Sequence, residues 1–310
     1  MSAVDVLALG EAMVEFNQAS ADDPRTWLQG FGGDTSNMAI AAARLGARSG
    51  YVTRVGNDEF GRRLTELWTR ERVATDGVVV DDAAPTGVYF VSHDATGHAF
   101  SYLRAGSAAS RLAPASLPLP ALRATRVLHL SAISQAISAS ACDACFAAID
   151  AARAAGARVS YDTNLRLALW PLARAKAIVF ESLRMADWAL PGLDDAAKLF
   201  GSDDPARIVD ACHALGAPVV VLKLGRDGCL ASDGHRREHL PGEHVDAVDA
   251  TGAGDCFDGA FIARVVGGDD VFTAARFANA AAALATTGYG AVAPLPWLAD
   301  VERLLAARGR

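Results

Sequence analysis

The segment Asp249-Ala250-Thr251-Gly252-Ala253-Gly254-Asp255 carries the residue types best suited to chemistry in this chain. Its small side chains leave the backbone approachable. The apolar stretch that follows, with Phe257, Ala260, Phe261 and Val265, predicts a helix beginning about Asp255. Unspent amides at a helix start, backed by the positive end of its dipole, suit a phosphoryl group in transfer. Gly252, Ala253 and Gly254 would then form an anion hole, with Asp255 as the general base that takes a proton from an adjacent hydroxyl. A plainer reading makes the segment a turn in which Thr251 or Asp255 caps the helix.

A second glycine-rich element, Gly30-Phe31-Gly32-Gly33-Asp34-Thr35-Ser36-Asn37, precedes a small-residue helix from Met38 to Leu45. Paired glycines let a ligand approach the backbone, though a tight connection capped by Ser36 or Asn37 needs them equally. Tyr89 lies between Val88 and Phe90 in a strand-like run, so its hydroxyl is free to meet a ligand or its ring to fill packing. Cys142-x-x-Cys145 sits in an Ala-rich helical stretch without a second ligand pair and reads as buried core. No Gly-x-x-x-x-Gly-Lys-Ser/Thr and no complete Gly-x-Gly-x-x-Gly after a strand occurs, and the histidines lack paired metal spacing.

These residues need a frame. Apolar runs at Val4 to Leu9, Val127 to Leu130, Arg158 to Tyr161 and Val219 to Leu224 alternate with Ala/Leu-rich stretches, which predicts an α/β fold with a mostly parallel, helix-covered sheet. Helical spacing recurs at Ile40, Ala43 and Leu45, at Leu64 and Leu67, and at Phe277, Ala280, Ala281 and Leu284. Met13 to Gln29 and Thr86 to Arg104 break the pattern, the second as a hairpin around Asp94-Ala95-Thr96-Gly97. Such excursions predict a small sheet that covers a cleft at the carboxyl ends of the main strands. No linker divides the 310 residues, so 1–310 reads as one domain with a lid formed by about 11–35 and 84–104.

The formal charge of −7, from 29 basic and 36 acidic residues, disfavours nucleic acid and anionic lipid as partners. No apolar run is long enough to span a bilayer, and residues 1–20 lack a secretory pattern. An odd five cysteines suit a reducing compartment, and the expected location is cytoplasmic.

Gly32-Gly33-x-x-x-Asn37, Gly56-Asn57-Asp58-x-x-Gly61 and Asp249-x-Thr251-Gly252-Ala253-Gly254-Asp255 together resemble the two signatures of ribokinase-type (PfkB) sugar kinases. The resemblance runs from Leu9-Gly10-Glu11 through Lys223-Leu224-Gly225-x-x-Gly228 to the last helices. It implies a ribokinase-like three-layer fold with a small β-sheet lid, and phosphoryl transfer from ATP with Mg²⁺. Monovalent-ion activation stays open. Tyr102-Leu103-Arg104-Ala105-Gly106-Ser107 and Asp162-Thr163-Asn164-Leu165-Arg166 resemble the 2-keto-3-deoxygluconate kinase branch. An Arg fork suits the carboxylate that sets a sugar acid apart from a neutral sugar.

The resemblance implies substrate contacts from Gly33, Asp34, Asn37, Tyr89, Tyr102, Arg104, Arg166 and Asp255. It implies nucleotide contacts from Asn164, Arg166, Lys223, Gly225, Gly228, Asn279 and the Gly252-Ala253-Gly254 loop. Leu190-Pro191-Gly192-Leu193-Asp194-Asp195 departs from the family's Asn-x-x-Glu, with Gly192 at the Asn, so the metal ligands stay unassigned. The expected reaction is phosphorylation of 2-keto-3-deoxy-D-gluconate at its terminal hydroxyl, giving 2-keto-3-deoxy-6-phosphogluconate, in a homo-oligomer. The alternatives are fructose, ribose, 2-ketogluconate or a nucleoside as substrate, or a sugar-binding regulator without turnover.

Overall fold

Strands buried on both faces need cover on both faces, and this chain supplies it with helices. The computed structural model describes residues 4–20, 23–94 and 97–309. A nine-stranded sheet has the order β13-β12-β11-β10-β9-β8-β1-β4-β5. Its strands are β1 (Val6–Leu9), β4 (Ser49–Gly56), β5 (Ala74–Asp81), β8 (Val127–Ser131), β9 (Arg158–Asp162), β10 (Trp188–Ala189), β11 (Val219–Lys223), β12 (Cys229–Ser232) and β13 (Arg237–Leu240). All neighbours from β11 to β5 pair in parallel, and the pairings β11–β12 and β12–β13 at one edge are antiparallel.

Alternation along β1 shows how the layers form: Val6 and Ala8 face one core, with Met38, Tyr51, Trp68, Phe257 and Phe261. Leu7 and Leu9 face the other, with Leu128, Ile149, Tyr161 and Leu183. Cys142 and Cys145 are buried and free, as is each of the other cysteines, in accord with core packing. No described helix is long and apolar enough to cross a membrane.

The two excursions form a second sheet of order β3-β2-β6-β7: β2 (Met13–Ser20), β3 (Asp23–Gly32), β6 (Val88–Asp94) and β7 (Gly97–Leu103). β6 and β7 pair antiparallel with Val88 opposite Leu103 and Tyr89 opposite Tyr102, the hairpin expected from sequence. Ala95 and Thr96 of its proposed turn lie outside the described residues. β2 leaves the end of β1 after Glu11 and Ala12, so the small sheet rises from the carboxyl ends of the main strands.

On the first face, helix Asp34–Arg44 crosses helix Ala253–Gly267 closely. A Cβ at Gly259 would lie 2.6 Å from the Met38 carbonyl and 2.8 Å from Ala41 Cβ. That contact explains why glycine stands inside a helix, where it ordinarily costs stability. Gly259→Ala should force the two helices apart and destabilise the protein by about 1–3 kcal/mol. An unchanged thermal unfolding midpoint would show that the crossing tolerates a methyl group.

Candidate active site

The helix that follows the small-residue loop begins at Ala253, two positions earlier than the sequence predicts. Its N-cap is Gly252, left-handed at φ 75°, with no side-chain cap. The capping role that the sequence left open for Thr251 or Asp255 is therefore not the one seen. Thr251 instead donates from its amide and hydroxyl to Asp249 Oδ1, at 2.9 and 2.6 Å. Glycine is required at 252, where a Cβ would also meet the Ala291 carbonyl at 2.9 Å.

The Ala253 amide donates to the Ala250 carbonyl and the Cys256 amide to that of Gly252. Among the described residues, the amides of Gly254 and Asp255 between them have no protein acceptor. The space beside Gly254 is open, the nearest atom to a Cβ there being Lys223 Nζ at 3.7 Å. An uncapped, sterically bare helix start of this kind fits a phosphate.

The second glycine element meets the first. Gly33, at φ 121°, is the N-cap of helix Asp34–Arg44, and a Cβ there would strike the Glu11 carbonyl at 2.5 Å. Asn37, one turn in, donates from Nδ2 to Asp255 Oδ2 at 2.8 Å across 218 positions of sequence. Asp34 Oδ2 accepts from Asn164 Nδ2 at 3.2 Å. Buried Asp34 Oδ1, Asn37 Oδ1 and Thr163 Oγ1 have no hydrogen-bond partner, as expected of groups awaiting a polar ligand. Burial and the neighbouring Asp34 charge push the Asp255 carboxyl from 3.8 up to about 7, against the Asn37 hydrogen bond.

Arg104, at the end of the small sheet, is largely buried. It is 12% exposed and ion-pairs with Glu11, itself 1% exposed, while Arg104 Nε makes no hydrogen bond. Ser107 Oγ donates to the other Glu11 oxygen at 2.7 Å. Tyr102, half exposed, stacks on Tyr89 with centroids 5.7 Å apart and lies 5.8 Å from the Arg104 guanidinium. The Tyr89 hydroxyl, read from sequence as a possible ligand contact, donates instead to the buried Glu15 carboxylate. Its ring covers Gly32, so the packing alternative is the one seen. Arg166 is half exposed, donates to the Leu165 carbonyl at 3.0 Å and lies 3.8 Å from Asp195. Asp195 also accepts the Leu165 amide at 3.0 Å, which ties this loop to the segment where Gly192 stands.

The residues assigned to the nucleotide divide. Gly225, at φ 61°, borders open space. Gly228, by contrast, is required by the chain itself, since a Cβ would lie 2.1 Å from the Leu240 carbonyl. Asn279 is buried, not solvated on a helix surface, and its amide nitrogen is spent on the Leu240 and Pro241 carbonyls at 3.0 and 3.2 Å. Lys223 Nζ meets Asp258 Oδ1 and Oδ2 at 2.9 and 3.0 Å and Asp162 Oδ2 at 3.3 Å. Asp258 and Asp162 received no role from sequence. The signal was present in Asp255-x-x-Asp258, because a spacing of three places both carboxylates on one flank of a helix. Among the described residues no group of three or more His, Cys, Asp or Glu side chains forms a metal cage.

A family model described as pfkB family carbohydrate kinase matches residues 4–298. The chain is 34% identical over 316 residues to fructokinase-2 of Zea mays, covering 97% of this chain and 94% of that protein. It is also 34% identical over 316 residues to a 2-dehydro-3-deoxygluconokinase of Thermoproteus tenax, covering 98% and 95%. A protein assigned as ribokinase II from E. coli, solved in complex with ATP and Mg²⁺, superposes with a TM-score of 0.91 at 26% identity, covering 98% and 99%.

Because its folded-state value lies above its unfolded one, Asp255 adds stability in its acid form. That stability is full below 3.8 and lost as pH rises through about 7. Across this window wild type should lose stability relative to Asp255→Asn, read as urea midpoints. Parallel curves would mean that Asp255 titrates alike in the folded and unfolded chain.

Proposed function

Since the chain belongs to the pfkB family of carbohydrate kinases and is a sugar kinase using ATP and a divalent metal, we propose that it phosphorylates 2-keto-3-deoxy-D-gluconate at the terminal hydroxyl. The product is 2-keto-3-deoxy-6-phosphogluconate. The observation that carries the substrate class is Arg104, buried at the cleft rim with Nε unpaired and Tyr102 beside it. Arg166 supplies a second cation on the opposite loop. A paired guanidinium contact recognises a carboxylate, which a neutral sugar lacks.

Asp255 acts as the base. Asn37 holds Oδ2, leaving Oδ1 to take the hydroxyl proton. The Gly254 and Asp255 amides, with Gly252 and Ala253 shaping the turn, hold the phosphoryl oxygens as charge develops. Asp34 and Asn37 orient sugar hydroxyls through their unpaired oxygens. Gly225 and the Asn164–Arg166 loop border the nucleotide, and Asn279 and Gly228 shape its pocket through the Leu240–Pro241 backbone. When bound, Mg²⁺·ATP supplies the phosphoryl group and the positive charge that a floor rich in carboxylates calls for. The sheet β3-β2-β6-β7 serves as the lid that excludes competing water from this single domain. Exposed Leu28, Phe100 and Leu103 on that sheet favour pairing of two copies through it. Free cysteines and the charge of −7 fit a cytoplasmic protein without nucleic-acid or membrane partners.

ADP formation measured over 2-keto-3-deoxygluconate, 2-keto-3-deoxygalactonate, 2-ketogluconate, fructose, ribose and adenosine should favour the 3-deoxy sugar acids. Fructose preference would overturn the substrate and leave the chemistry. Asp255→Asn should lower turnover about 10²- to 10⁴-fold with ATP binding kept. Arg104→Ala should weaken sugar-acid binding by about 1–3 kcal/mol while sparing neutral sugars. Equal losses for both would remove Arg104 from carboxylate recognition.

A further inference from the structure

We propose that Lys223 is a positioning residue whose buried ammonium, clamped between Asp258 and Asp162 against the anion-hole loop, holds the Asp255 carboxyl in place and eases loss of its proton without holding the nucleotide. The inference rests on Asp255 being the base.

Lys223 Nζ donates to both Asp258 oxygens at 2.9 and 3.0 Å and ion-pairs with Asp162 Oδ2 at 3.3 Å, so its charge is already answered by two carboxylates of the protein. The clamp joins two elements of the site. Asp258 is one turn along the helix that presents Asp255, and Asp162 ends β9 two residues before Asn164. Lys223 itself ends β11, so the helix is pinned to two strand ends at once, one turn past Asp255. Burial alone would lower the Lys223 value, but Asp162 and Asp258 raise it above the ordinary one, so the cation persists.

The groups around Asp255 show what that cation does. Asp34 and Asn37 face it from helix Asp34–Arg44, Asp162 from β9, Cys256 and Asp258 from its own helix, and Tyr89 from β6. The charges among these are negative, and Lys223 from β11 opposes them. Without it the Asp255 proton would be held more tightly.

The test compares wild type with Lys223→Arg, Lys223→Met and Lys223→Gln. Gln retains donors for the carboxylates, so it reports even where Met fails to fold. The acid limb of kcat/KM should move up by about one pH unit or more in Met and Gln and stay in place in Arg. The KM for ATP should change by less than about threefold. An unmoved limb with an ATP KM raised about tenfold or more would make Lys223 a phosphate ligand. An unmoved limb with only a lower unfolding midpoint would make it a structural strut. Either outcome overturns the proposal. A limb that persists in Asp255→Asn would instead mark failure of the base assignment. The pH dependence of stability, compared between Lys223→Gln and Lys223→Gln/Asp255→Asn, then still reads whether Lys223 governs the Asp255 proton.

Discussion

The site depends on two helix starts, far apart in sequence, being brought to hydrogen-bond distance. Asn37 reaches Asp255 at 2.8 Å because the two helices cross where Gly259 presents no side chain. Each start is shaped by a glycine whose Cβ would collide with backbone, Gly33 against Glu11 and Gly252 against Ala291. Sterics therefore fix the geometry of the site before any polar interaction is counted, and close packing leaves little room to relax it.

Electrostatics then divides labour among like residues. Asp34, Asp162, Asp255 and Asp258 crowd the floor of the cleft, yet their partners are not all alike. Asp34 meets Asn164, Asp162 and Asp258 meet Lys223, and Asp255 meets only an amide. Burial and a negative surrounding, against one neutral amide donor, raise the Asp255 carboxyl to about 7, where it can exchange its proton near neutral pH.

Much of this was readable in the chain. Parallel strands announced themselves as apolar runs, the hairpin at Thr86 to Arg104 as alternation around a turn, and the uncapped helix start as small residues before an apolar helix. Partners were not readable. Nothing local to Tyr89 says that Glu15 claims its hydroxyl, and nothing local to Arg104 says that Glu11 buries it. Asn279 on a helix resembles any solvated amide until the Leu240 and Pro241 carbonyls appear above it. These pairings join distant segments and depend on register, which periodicity alone does not determine.

The chain leaves the central sheet twice between β1 and β8, yet β1 still pairs with β4 and β4 with β5. The small sheet is thus assembled from two interruptions that return the backbone to where it departed. Arg104, Tyr102 and Glu15 come from or adjoin those interruptions, whereas Asp255, Asp258, Asp162 and Lys223 belong to the uninterrupted body. A change in the length or sequence of either interruption would therefore reshape the surroundings of Arg104 and Tyr102 while leaving untouched the strand ends and helix start that hold Asp255 and Lys223.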